Sequence, residues 1–174
     1  PFVVREIRNE SNQVLARSSE IPAGDESIRA IDPRNAFMMD AMLRDVTIYG
    51  TAARASGTLK RHDLAGKTGT TNEYVDAWFC GYQMTVAGCA WIGFDQPRKL
   101  GDKETGGTAA LPIWIGYMSR ALKDVPVQLP TAPEGLLAVG EGRDRSYIYS
   151  ENAKQVEEAP DTEDADPPPP PALP

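Results

Sequence analysis

Histidine and cysteine are almost missing from these 174 residues: His62 stands alone, and Cys80 and Cys89 are the only cysteines. Residues so few and so spaced make no zinc site. A single histidine in a charged stretch reads as a surface side chain, and no Ser-His-Asp relay is built on it. No apolar run reaches the ~18 residues that a membrane-spanning helix needs. No clustered basic face is visible, which argues against a nucleic-acid partner. The opening Pro1-Phe2-Val3-Val4 meets charge at Arg5 and does not continue as the apolar core of a leader. It implies either a cytosolic protein or a targeting segment outside these residues. A first residue other than methionine fits a fragment or a processed product.

What is present is an ordinary globular composition, 41% hydrophobic and 25% charged. The net charge of −7 is unevenly placed. Residues 151–166 hold seven acids against Lys154, a net −6, which leaves about −1 for residues 1–150. The body is thus nearly neutral. The last 24 residues, 151–174, are acidic and then proline-rich, a composition that cannot bury enough apolar surface to order itself. The two cysteines flank a tight apolar turn and would face each other across a hairpin. Free cysteine is a common small core residue, so two buried thiols are the favoured expectation, with a disulfide as the alternative in an oxidising compartment.

Along the chain, Phe2–Arg8 and Val14–Ala16 read as a small hairpin turned at Asn9–Asn12. Asp32-Pro33 opens a helix that runs to Gly50, with a methionine-rich stripe expected in the core. Thr51–Arg61 reads as a mixed loop whose Arg54, Lys60 and Arg61 are solvated. Leu64–Thr70, Ala77–Tyr82 and Thr85–Phe94 read as strands, the last two apolar on both faces and joined at Gln83-Met84. Gly101–Thr108 is a glycine-rich loop, and Ala109–Lys123 a helix with Pro112 in its first turn. Tyr147-Ile148-Tyr149 is a last strand or a docked peptide.

One motif stands out: Lys67-Thr68-Gly69-Thr70-Thr71, at a strand edge. It combines a cation, hydroxyls and an open glycine, a set suited to an anionic, peptide-like ligand. An extended peptide pairs with such an edge through main-chain hydrogen bonds. A side chain on Gly69 would crowd it. A bare Lys-Thr-Gly is common, so its surroundings matter. These are Ala65-Gly66 before it, Asp76-Ala77-Trp78-Phe79-Cys80-Gly81-Tyr82 and Trp91-Ile92-Gly93-Phe94-Asp95 after it, and Gly106-Gly107-Thr108-Ala109-Ala110-Leu111-Pro112-Ile113-Trp114 further on.

With those phrases the chain resembles the C-terminal part of penicillin-binding proteins. The likeness is strongest to the bifunctional class A members, which are peptidoglycan glycosyltransferases and DD-transpeptidases. The resemblance covers roughly residues 1–135 as a partial transpeptidase domain, followed by an extension at 136–150 and a tail at 151–174. It implies an α+β fold with an antiparallel sheet flanked by helices. It also implies a serine nucleophile in a Ser-x-x-Lys motif and a second motif, Ser-x-Asn. The first is missing here: Ser56 and Lys60, like Ser119 and Lys123, are one residue too far apart. Ser150-Glu151-Asn152 fits the second only by chance, on the wrong side of Lys67. The nucleophile is therefore expected on a companion segment that precedes this one.

The resemblance implies roles for four residues. Lys67 supplies positive potential and bonds the serine of the second motif. Thr68 and Thr70 offer hydroxyls to the substrate carboxylate beside Gly69. The backbone N–H of Thr70 is one oxyanion donor. Expected partners are peptidoglycan stem peptides, beta-lactams and the companion polypeptide. No cofactor or metal is expected, and the location is extracytoplasmic, with an anchor upstream. Two other readings remain, a non-catalytic binding or regulatory fragment and a DD-carboxypeptidase or beta-lactamase. Glu73 and Asp76, next to the motif, are expected to shape a turn.

Overall fold

Two consecutive, mostly apolar segments in which small residues stand among aromatic ones build the centre of the fold. They are β4 (Ala77–Gln83) and β5 (Val86–Ile92), antiparallel and turned at Met84-Thr85, one residue later than the sequence suggests. Strand β3 (Ala65–Thr70) pairs with β4 on the other side, Lys67 opposite Cys80 and Gly69 opposite Trp78. The order is β3-β4-β5, so β3 is an edge strand among the described residues. The computed structural model describes residues 4–19 and 25–153. The acidic, proline-rich stretch from Lys154 onward lies outside the described residues.

One face of β4 is buried: Ala77, Phe79, Gly81 and Gln83 point inward. The other face carries Trp78 and Cys80, both exposed, which corrects the expectation of a strand covered on both sides. Helix α3 (Leu111–Ala121) supplies the cover, with Trp114 edge-on to Phe79 at 4.9 Å between ring centroids. Leu64, Phe79, Leu111, Trp114 and Met118 are fully buried, each contributing about 1.5–3 kcal/mol of apolar burial. Trp114 also donates its indole N–H to the Gly88 carbonyl at 3.0 Å, so its polar handle is satisfied within the core.

Helix α1 (Pro33–Ile48) starts at the expected Asp32-Pro33. Its Thr47 hydroxyl reaches the Leu64 carbonyl at 2.6 Å, which ties the helix to the entry of β3. Tyr82 on β4 donates its phenol to Asp40 at 2.9 Å. Burial, and then the neighbouring Asp40 carboxylate, push the Tyr82 phenol up to about 12. Met39 and Met42 are more than half exposed, so the methionine stripe is not core packing; the buried side is formed by Phe37 and Thr47.

The stretch expected to be a loop contains a second helix, α2 (Ala53–Leu59). It buries Ala52 and Ala55 completely, side chains small enough for close packing. Its last residue hands over to Lys60, in the left-handed region at φ 52°. Arg61 is not solvated. It forms a two-pronged pair with Asp63 at 2.9 and 2.7 Å and donates to the carbonyls of Val125 and Pro126. Asp63 further accepts from Gln83 and from the Gln128 backbone, so one carboxylate joins the start of β3, the end of β4 and the chain after α3.

Strand β6 (Leu136–Val139), which the sequence reading omitted, pairs with β7 (Ser146–Tyr149). Tyr147 packs edge-on against Phe37 at 4.9 Å. Tyr149 bonds Asn35 and lies under Arg34, and Arg34 in turn pairs with Glu151 at 2.9 Å. The strand-like tyrosines are thus both a last strand and a segment docked on α1. The chain divides into two units, Pro1–Asp32 and Pro33–Pro174. In the first, β1 (Glu6–Arg8) and β2 (Val14–Arg17) form the expected hairpin, with Glu6 bridging Arg8 and Arg17.

Candidate active-site strand

Alternation along β3 sends its side chains two ways. Lys67 lies on the same face as Cys80 and Cys89, its neighbours across the ladder. Thr68 and Thr70 lie on the opposite face, two residues apart. Lys67 is exposed, and its ammonium donates to the Thr68 carbonyl at 3.0 Å. The two threonines are each held from outside the motif. The Thr68 hydroxyl is 3.1 Å from that of Thr51, and the Thr70 hydroxyl accepts the Gly106 N–H at 3.0 Å. The sequence does not single out Thr51, and it marks Gly106 only as the start of the phrase Gly106–Trp114, without a contact to the motif.

Gly106 opens a turn, Gly106–Ala110, that leads into α3. Thr105 and Thr108 cap it reciprocally: each side chain bonds the other's backbone N–H. That cap presses Gly106 against the strand. A Cβ there would stand 2.1 Å from the Trp78 carbonyl oxygen and 2.6 Å from that of Gly69. Only a glycine fits so close to two backbones. Gly69 has a milder constraint, since an added Cβ would meet the Trp78 Cβ at 3.2 Å.

After β3 the chain turns through Glu73 and Tyr74, both left-handed at φ 59° and 58°. Thr71 and Asp76 close this turn, the Asp76 N–H donating to the Thr71 hydroxyl at 2.7 Å. The Asp76 carboxylate accepts from the Trp91 indole at 2.9 Å. Asp76 thus shapes the turn and orients Trp91, whose ring lies 5.9 Å from that of Trp78 on the exposed face. His62 is exposed, away from any relay.

The cysteines depart from expectation. Cys80 and Cys89 are exposed and joined as a disulfide between directly opposed residues, Cα atoms 4.1 Å apart. Outward alternation puts both sulfurs on the face of Lys67, where the packed core is not available to them. Leu43, Lys67, Tyr82 and this disulfide line a mostly apolar groove between α1 and the sheet.

Known proteins resemble this chain in sequence and in fold. Penicillin-binding protein 1A of Pseudomonas aeruginosa is 48% identical over 130 residues, 75% of this chain and 16% of its own length. The protein of that name from Neisseria flavescens is 44% identical over 138 residues, 79% of this chain and 17% of its own. The crystal structure of penicillin-binding protein 1A from Haemophilus influenzae superposes with a TM-score of 0.64 at 25% identity, covering 86% of this chain and 29% of that one.

The chain belongs to the penicillin-binding protein family. It corresponds to part of a class A member and has the α+β fold that goes with it. No family model matches the chain. The chain spans about one sixth of the length of these curated relatives. Among the described residues, β3 is a short edge whose polar side chains are braced by the turn before α3 and by Thr51.

Proposed function

We propose that this chain supplies the carboxylate-binding strand of a serine D-Ala-D-Ala transpeptidase that cross-links peptidoglycan. The observation that carries the reading is the edge strand β3, with Lys67 exposed on one face and the Thr68 and Thr70 hydroxyls on the other, in a chain 48% identical to a penicillin-binding protein 1A. An incoming stem peptide pairs with the edge of β3 and sets its terminal carboxylate against Thr68 and Thr70, in the positive potential of Lys67.

The nucleophile is a serine on a companion segment. Its hydroxyl oxygen attacks the penultimate D-Ala carbonyl while its proton passes to a base there. The Thr70 N–H and the serine's own N–H receive the oxyanion charge. The C–N bond then breaks, the terminal D-Ala amine leaves with a proton, and an acyl ester remains. A second stem's amine attacks the ester and restores the serine. Beta-lactams enter by the same route through their own carboxylate and amide. The directly opposed disulfide supports an oxidising, extracytoplasmic location, with the anchor and the glycosyltransferase on other parts of the protein.

Labelling by a fluorescent penicillin tests the reading. Residues 1–174 alone should take no label, and the full-length protein should carry it on a serine of the companion segment. Label within residues 1–174 would refute the placement of the nucleophile. A normal acylation rate in Lys67→Ala would refute the role of the strand.

A further inference from the structure

Thr51 sits between α1 and α2, 17 residues before the residue it touches. The backbone around it is held by its neighbours: the Ala52 N–H donates to the Val46 carbonyl at 3.0 Å, and the Ala53 N–H to the Gly50 carbonyl at 3.1 Å. Ala52 is completely buried, which anchors the corner. From that corner the Thr51 side chain, itself exposed, reaches the Thr68 hydroxyl at 3.1 Å. The turn into α3 closes the third side, since a Cβ on Gly107 would lie 3.1 Å from the Thr51 carbonyl oxygen and 3.9 Å from the Thr68 methyl.

We propose that Thr51 is a positioning residue for substrate recognition, donating its hydroxyl proton to Thr68 Oγ1 and so directing the Thr68 proton toward the substrate carboxylate. This rests on the carboxylate-binding role of β3 proposed above. A carboxylate only accepts hydrogen bonds, so a hydroxyl serves it only as a donor. Two adjacent hydroxyls share one proton between them. When Thr51 gives that proton, the proton of Thr68 is left for the ligand and is polarised by the bond it accepts. A hydroxyl without this neighbour rotates freely and spends part of its time with the lone pairs toward the anion. Because Thr51 is exposed, its hydroxyl contributes little to burial, and its effect belongs to ligand binding.

The test is acylation of the full-length protein by a fluorescent penicillin over a concentration series, which separates the half-saturating concentration from the limiting acylation rate. Thr51→Val should raise the half-saturating concentration about 3–10-fold, the range of one lost hydrogen bond, with the limiting rate nearly unchanged. Thr51→Ser should restore it. In a Thr68→Val background, Thr51→Val should add nothing. Thr51→Ala replaces the valine variant if that one fails to fold. If Thr68→Val weakens acylation and the Thr51 variants do not, the role of Thr51 is overturned and the strand reading stands. Full additivity of the two valine changes also overturns it. If Thr68→Val has no effect, the carboxylate reading falls and the inference with it.

Discussion

The hydroxyl of Thr70 accepts the backbone N–H of Gly106, 36 residues further along, at 3.0 Å. This bond couples the edge strand to the turn that starts α3, and the fit between them leaves no room for a side chain. Gly106→Ala would place a methyl 2.1 Å from the Trp78 carbonyl oxygen on β4 and 2.6 Å from that of Gly69 on β3, so the strands or the turn must shift. Such overpacking costs about 1–3 kcal/mol. The expected result is a lower melting temperature together with penicillin acylation slowed about tenfold or more. Unchanged values of both would show that the turn yields easily.

Lys67 is the only cation on β3, and it points away from the threonine face. Charge-assisted hydrogen bonds contribute about 1.5–3 kcal/mol. Lys67→Ala in the full-length protein is therefore expected to slow acylation about 10–100-fold, with melting temperature nearly unchanged because the side chain is exposed. Thr70→Val should have a smaller effect on the rate.

Asp63 is buried against Arg61. Burial pushes its carboxyl up, but Arg61, the Gln128 N–H and Gln83 together outweigh that and hold it below the usual carboxylate range. A carboxyl lowered on folding contributes stability that is present above the unfolded value of ~3.9 and is lost as the pH falls through the lower folded one. Asp63→Ala should cost about 3–5 kcal/mol at neutral pH, because it strands the Arg61 charge. The difference between variant and parent, followed by denaturant unfolding, should shrink below about pH 4.

The Cys80–Cys89 bond closes a short hairpin. Alkylation should capture these two thiols only after a reductant is added. Replacing both by alanine should lower stability by no more than about 2–3 kcal/mol, since a short loop has little entropy to lose. Two thiols reactive without reductant would contradict the bond.

Much of this was legible where a signal is contiguous. The Lys67–Thr71 motif, the proline-started helices and the alternating strands are each written in a single run of residues. Helix α2 was not, because Ser56, Gly57 and Thr58 are weak helix formers and tertiary burial of Ala52 and Ala55 decides its state. Arg61 read as a solvated loop cation because its carbonyl partners lie more than sixty residues away. The contacts that support the site were hidden for the same reason: Thr51, and Gly106 of the glycine-rich phrase, meet the motif only after the chain has folded back. The facing of Cys80 and Cys89 across a hairpin was legible, but the disulfide stood second to buried thiols because free cysteine is common in cores; the strand register puts both on the exposed side, where the bond is the outcome.

The edge of β3 has one more consequence, for encounters between molecules. An unpaired strand edge is a template for any other strand, including the same strand of a second copy. Here the edge is short, with two glycines, two threonines and one alanine around a single lysine. Two molecules meeting along it would gather two ammonium groups onto one small ladder and gain almost no apolar contact. Among the described residues, the lysine proposed to draw in a carboxylate thus also disfavours pairing of this edge with a second copy.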